Sequence, residues 1–415
     1  MRNIFDQYGA PENRLTHALG SCLQRDRRLL RNFIRWVTKR RDLEWRRLRV
    51  IEQHIPGTSV DPATDGEASL PDLWIHGDGT WSLIVESKVM ARVEPRQLAR
   101  HQNMARRNGF TNVQLLVLTT AAPPHRLDGV ICKTWPEVHA WSRRQAKESP
   151  WAACLAEYLE VAEARMAADE YLTEGTLTQF DGVPFGPDHP YTYREGKRVL
   201  KLAMNELRSH RELKKMILPE APGRPAITGS DGASVWDLLR LRESRGTANF
   251  AAFPHLTLSI QERRILIVVS LPNAAPAWMR RNLTRGGFEG FRSLVSEVEG
   301  RVTKAIRKIS NAYPFMEAVQ KRYHTQRSTP VDDARLEIDI RTAAASWRSP
   351  VRIQHQWVQA AFDATRQKRS HLQLGIGAVL KYGDRRIHSR EVLDVVAGVW
   401  IGCRPWIDTI LEGSR

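Results

Sequence analysis

The stretch that most constrains this chain runs from Pro71-Asp72, through a short turn, to Glu86-Ser87-Lys88. Residues 70–75 (Leu-Pro-Asp-Leu-Trp-Ile) and 81–85 (Trp-Ser-Leu-Ile-Val) are apolar and partly β-branched. Between them His76-Gly77-Asp78-Gly79-Thr80 has the glycines a tight turn needs, so the pair predicts a hairpin. With the turn centred near Gly79, Asp72 falls beside Glu86, and the strand period of two puts Lys88 on the face of Glu86. Two carboxylates and one ammonium then converge at one end of two apolar strands. Adjacent carboxylates repel and desolvate poorly unless a cation sits between them, and a divalent metal is the natural cation.

Around the hairpin, Leu15, Ala18, Leu19, Cys22, Leu23, Leu29, Leu30, Phe33, Ile34 and Val37 recur close to every 3.6 residues and predict one helix from about Glu12 to Lys39. Trp45 to Gln53 predicts a strand, and a polar loop from Gly57 to Ser69 leads into the hairpin. Glu94-Pro95 opens a helix carrying Gln97 and His101, and residues 113–118 form a buried strand. The expected order is helix, three strands, helix, strand.

A helical run from Trp151 to Tyr171 closes a first domain over residues 1–172, and the Gly- and Pro-rich stretch 173–192 predicts a linker. Residues 193–415 form the second domain. It has a helix over 194–216, a hairpin from 256–260 and 265–269, a long helix over 288–311, and a strand over 336–340. A helix over 354–367, a strand over 372–381 and a helix capped by Ser389 running to about Leu411 complete an α+β domain with a mostly antiparallel sheet. It carries no chemical motif. Gly375 and Gly377 fit either a bend or a close approach to a ligand.

The formal net charge of +17 over 415 residues favours a polyanionic partner. Arginines crowd residues 25–49, where Arg28, Arg31, Arg35 and Arg40 alternate with Trp36 and Trp45; Lys304 and Arg307 belong to a second basic stretch. Such runs serve as solvated helix faces or as phosphate contacts. No strongly apolar helical face accompanies them, which favours nucleic acid over a membrane. Cys22, Cys132, Cys154 and Cys403 have no zinc or C-x-x-C spacing, and no leader-like segment stands at the N-terminus, so a reduced, cytoplasmic setting is expected. No phosphate-binding loop, H-E-x-x-H or G-x-S-x-G occurs, which removes the commonest ATPase, metalloprotease and serine-hydrolase readings.

With Asp72, the Glu86-x-Lys88 pair and their flanking helices in place, the chain resembles the PD-(D/E)XK nuclease superfamily over roughly residues 3–145. The resemblance implies a restriction-endonuclease-like α/β domain with a central mixed sheet flanked by helices. It implies catalytic roles for Asp72, Glu86 and Lys88, with Glu12 as the acidic residue many members place beside the metal. Gln97 and His101 match the Gln-x-x-x-Tyr pattern of RecB-like members, with histidine in place of tyrosine. Glu12 also reads as a first-turn carboxylate favoured by the helix dipole, and Gln97 with His101 as a local packing pair.

On this reading Asp72, Glu86 and the Ser87 backbone carbonyl hold Mg²⁺ or Mn²⁺, with Glu12 as the only candidate for a second metal. The expected activity is metal-dependent hydrolysis of DNA phosphodiesters in a prokaryotic restriction or anti-phage defence system, alongside partner proteins of that system. The second domain would recognise a target or trigger or hold a dimer. The alternatives are a repair or recombination nuclease on branched or single-stranded DNA, and a silent nuclease-like DNA-binding module. Cutting both strands of a duplex calls for a symmetric homodimer.

Overall fold

The computed structural model describes residues 11–52, 71–77, 80–89, 93–121, 127–168, 175–221, 232–246, 252–325, 328, 330–343, 355–367 and 371–413. The chain divides into two compact units, Met1–Gln179 and Phe180–Arg415. The stretch expected as a linker is therefore shared between them. Leu177 is buried in the core of the first unit, and Phe180, Val183 and Phe185 are buried in that of the second.

The first unit begins with α1 (Pro11–Arg25) and α2 (Arg27–Thr38), two helices where the apolar period predicts one. Asp26 makes the break. Its carboxylate accepts from Arg28 N and Leu29 N, each at 2.9 Å, and the Ser149 hydroxyl donates to it as well. An extended aspartate that satisfies two orphan N–H groups starts a new helix, while the apolar stripe continues across it because both helices face one core. Asp26→Ala should cost about 1–2 kcal/mol in urea unfolding. A loss below about 0.5 kcal/mol would mean that packing alone holds the break.

A 3₁₀ turn at Trp45–Arg47 then leads to β1 (Arg49–Glu52), so only the end of the expected strand is extended, and Gln53 lies outside the described residues. There follow β2 (Leu73–His76), β3 (Trp81–Lys88), α3 (Pro95–Arg107), β4 (Asn112–Thr119), β5 (Val130–Thr134), α4 (Trp135–Gln145) and α5 (Pro150–Ala168). Among the described residues these strands make a mixed sheet in the order β1-β2-β3-β4-β5. The first three are antiparallel, and β4 and β5 run parallel to β3.

Leu73, Ile75, Leu83 and Val85 face the main core with residues of α1, α2, α4 and α5. Ile84, Leu115 and Val117 face the opposite side, against Leu98 and Ala105 of α3. Covered on both faces, β3 reads as a nearly unbroken apolar run. The parallel strands end together at Lys88, Thr119 and Thr134. That edge is where open α/β sheets place their ligands.

The second unit contains α6 (Tyr193–Ser209), β6 (Ser234–Arg240), β7 (His255–Gln261), β8 (Arg264–Leu271), α7 (Ala277–Thr284), α8 (Gly287–Ile306), β9 (Ala312–Arg322), β10 (Val331–Asp339), α9 (His355–Arg366), β11 (Leu372–Lys381), α10 (Glu391–Gly402) and α11 (Arg404–Leu411). Its sheet, in the order β10-β9-β11-β8-β7-β6, is antiparallel at every described pairing. The helix expected to reach residue 311 stops at Ile306, and β9 begins six residues later. Pro314 and Glu317 hide that strand from a sequence reading, since neither suits a central position. The final helix is broken at Cys403, ahead of Arg404-Pro405.

Candidate active site

The hairpin register pairs Leu73 with Val85 and Trp74 with Ile84, which continues outward to set Asp72 opposite Glu86. Strand alternation points Glu86 and Lys88 to the α3 side with Ile84, and Glu86 is only 2 % exposed. Its Oε1 accepts from Lys88 Nζ at 2.8 Å and from Gln97 Nε2 at 2.6 Å. One turn further along α3, His101 is fully enclosed with its Nε2 3.3 Å from Glu86 Oε2, but misaligned for a hydrogen bond. Glu86 Oε2 is therefore a buried carboxylate oxygen without a hydrogen bond. Native structures rarely leave such an atom unsatisfied unless an ion, a water or a reacting group completes it.

Asp72 Oδ2 accepts from Ser87 N at 2.8 Å, tying β2 to β3 at the charged end. The Ser87 side chain points to the other face, where its hydroxyl accepts from Trp135 Nε1 at 3.3 Å. Glu12, at the start of α1, accepts from Val89 N at 2.8 Å and so clasps the end of β3. Asp72, Glu86, Lys88, Ser87, Gln97, His101 and Glu12 thus meet at one edge of the sheet. Trp135 was not foreseen as a support; its signal is the Thr134-Trp135-Pro136-Glu137 capping box that starts α4 where β5 ends.

Burial raises the pKa of Asp72 to about 6, the Glu86 charge pushes the same way, and the Ser87 N–H and Lys88 offset only part of this. Burial also works against the charge on Glu86, but His101 and Lys88 beside it prevail and its pKa is lowered. Lys88 is raised: desolvation opposes its charge, and Glu86 more than compensates. One carboxylate of the pair is thus held ionised while the other resists ionisation, the usual outcome when two acids share a buried site.

The donor set fits a hard divalent cation, because two carboxylates repel each other and one Glu86 oxygen makes no hydrogen bond. Among the described residues no group of three or more His, Cys, Asp or Glu side chains is set to hold a metal ion. A cation here would rest on Asp72 and Glu86 with backbone and water oxygens, as Mg²⁺ commonly does. The charge of Glu12 raises Asp72 further.

Between about pH 4 and 6 the folded protein keeps on Asp72 a proton that the unfolded chain has released. Stability contributed by this group therefore falls as pH rises through that window, and the fully charged site above it has most to gain from a cation. Mg²⁺ or Mn²⁺ should raise the unfolding temperature near pH 7.5 and much less near pH 5. Asp72→Asn should be more stable than the native protein near pH 7.5 without metal and should lose the cation effect. Equal cation effects at both pH values in calorimetry would place the metal elsewhere.

The basic residues divide differently. Arg28 pairs with Glu148 at 2.6 Å, and Arg40 is bound by Asp42. Arg31 and Arg46 lie over Trp45 at 5.4 and 5.2 Å, and Arg31, Arg35, Arg40 and Arg41 line a shallow cleft around it. Arg49 pairs with His76, four residues from Asp72 and so about 13 Å along the strand. This cluster is not part of the carboxylate site. Lys304 and Arg307 are exposed at the end of α8, in the other unit.

No family model matches this sequence, and no curated protein does. Among the described residues no helix is long and apolar enough to cross a membrane.

Proposed function

We propose that the first unit is a restriction-endonuclease-like domain of the PD-(D/E)XK type that hydrolyses DNA phosphodiester bonds with a divalent metal. The observation that carries this reading is the buried convergence of Asp72, Glu86 and Lys88, with one Glu86 oxygen that makes no hydrogen bond and has only His101 Nε2 beside it at 3.3 Å. Asp72 and Glu86 are the groups that would hold the ion. The chemistry a bound Mg²⁺ supplies is acidification of an attacking water and neutralisation of charge on the phosphoryl oxygens.

The chain does the rest. Lys88 Nζ, a compact charge at the rim, orients the attacking oxygen and stabilises the extra negative charge of the transition state. Gln97 fixes the Glu86 rotamer through Oε1, and His101 closes the site from below, excluding water from the carboxylate. The arginines around Trp45 add sequence-independent attraction for a phosphate backbone. A prokaryotic restriction or defence role, with Mg²⁺ or Mn²⁺ as cofactor, suits a basic chain that joins such a site to a second sheet domain.

The test is incubation with supercoiled plasmid, linear duplex and single-stranded DNA in Mg²⁺, Mn²⁺ or EDTA. Cleavage that requires the metal supports the proposal, and the preferred substrate separates restriction from repair. DNA binding without cleavage under all conditions would leave the silent binding module as the better reading.

A further inference from the structure

The second unit uses only one face of its sheet for the main core. Ile265, Ile267, Met316, Ala318, Leu374 and Ile376 point to the helices. The alternate residues Leu266, Val268, Phe315 and Val379 form a separate cluster with Tyr313 on the opposite face.

That opposite face is concave. β8 and β10 are separated by β11 and β9, three strand spacings or about 14 Å in a flat sheet. Following the register from Glu337 through Glu317 and Gly375 leads to Ser270, six residues along β8 from Arg264. The Arg264 guanidinium nevertheless binds both carboxylate oxygens of Glu337, at 2.6 and 3.1 Å. The two side chains are too short to meet across that span unless the sheet curls inward between them.

A cleft of about 600 Å³ opens on this face, lined by Asn311, Tyr313, Glu337, Asp339, Arg341 and Lys381. Its volume lies within the range of small-molecule sites. The Arg341 fork is held by Asp339, with its shortest contact at 2.5 Å, and stands 5.5 Å from the Tyr313 ring centre. Arg264 is likewise held by Glu337. Lys381 is exposed and has no ion-pair partner among the described residues. Beside Glu337 in register, Glu317 is 7 % exposed, and its carboxyl has no hydrogen-bond partner among the described residues; burial raises its pKa.

We propose that this cleft binds a small phosphorylated ligand of nucleotide size. Lys381 takes the anion, and Tyr313, braced by Arg341, takes a planar base. The Arg341 guanidinium, which lines the cleft, matches phosphate with the same fork that Asp339 now orients. The proposal is independent of the nuclease reading of the first unit.

The experiment is calorimetric titration of the full chain in EDTA with AMP, GMP, CMP and UMP, with inorganic phosphate, and with the matching nucleosides. At least one nucleotide should bind saturably, with phosphate and the nucleoside at least about tenfold weaker. Lys381→Glu and Tyr313→Leu should each weaken that binding about tenfold or more, while Arg35→Glu in the first unit leaves it unchanged. Lys381 is exposed, so its variant keeps the test decisive if Tyr313→Leu does not fold. The proposal is overturned if no nucleotide binds saturably, if phosphate alone binds as tightly, or if Lys381→Glu binds like the native protein.

Discussion

Lys88→Ala should lower metal-dependent DNA cleavage by about 10²–10³-fold while leaving DNA affinity in EDTA nearly unchanged. The expectation follows from where the ammonium sits. Its Nζ lies 2.8 Å from Glu86 Oε1, its pKa is raised by that neighbour, and its charge acts to lower the pKa of Asp72. On the proposed function, removing it would take a positive charge from the place where the transition state gains negative charge. DNA affinity, on the same proposed function, would draw instead on phosphate contacts spread over many arginines, so one lysine at the rim would change it little. Lys88→Arg should not restore the rate, because a planar fork cannot take the position of a point charge between two carboxylates. The readouts are plasmid-nicking rates and filter binding on the same preparations. Cleavage within about threefold of the native rate would remove Lys88 from the chemistry.

Gly377→Ala should have the largest effect on folding, with a loss of about 3 kcal/mol or more in the unfolding of the second unit. A Cβ at this position would stand 1.8 Å from the Ile267 carbonyl oxygen and 2.9 Å from its carbon, both backbone atoms of the neighbouring strand. Nothing there can rotate away, so β8 and β11 must separate at the centre of the sheet. Gly375→Ala is the control. Its Cβ would meet Val268 Cγ1 at 2.8 Å and Glu317 Cγ at 2.9 Å, which are side-chain atoms able to shift, and the cost should be about 1–2 kcal/mol. Urea unfolding followed by the fluorescence of Trp400 and Trp406, both buried in the second core, measures the difference. Equal losses for the two variants would mean that the sheet relaxes freely at its middle strand.

The elements that sequence reading located are those whose signal lies within a few residues. The hairpin is legible because two short apolar runs flank a glycine turn, and its period of two alone sets Asp72 against Glu86 and aligns Lys88. The start of α3 is legible from Glu94-Pro95, since proline suits an early helical position. The break at Asp26 was present in the sequence as a capping residue but was overridden by an apolar stripe running through both helices. β5 and β9 were missed for opposite reasons. The first is short and half-buried along its length, and the second carries a proline and a glutamate inside a central strand.

By itself, then, the sequence determined the periodic elements, the position of the hairpin and the pairing of its charged ends, because hydrogen-bonded neighbours along the chain impose those patterns locally. Tertiary structure alone decided which oxygen of Glu86 is engaged, that Trp135 supports Ser87 from 48 positions away, and that Arg264 reaches Glu337 across 73. It also decided that Arg31, Arg35, Arg40, Arg41 and Arg46 gather around Trp45. These contacts depend on strand order and sheet curvature. Both arise from the packing of the whole core, and no window of neighbouring residues contains them.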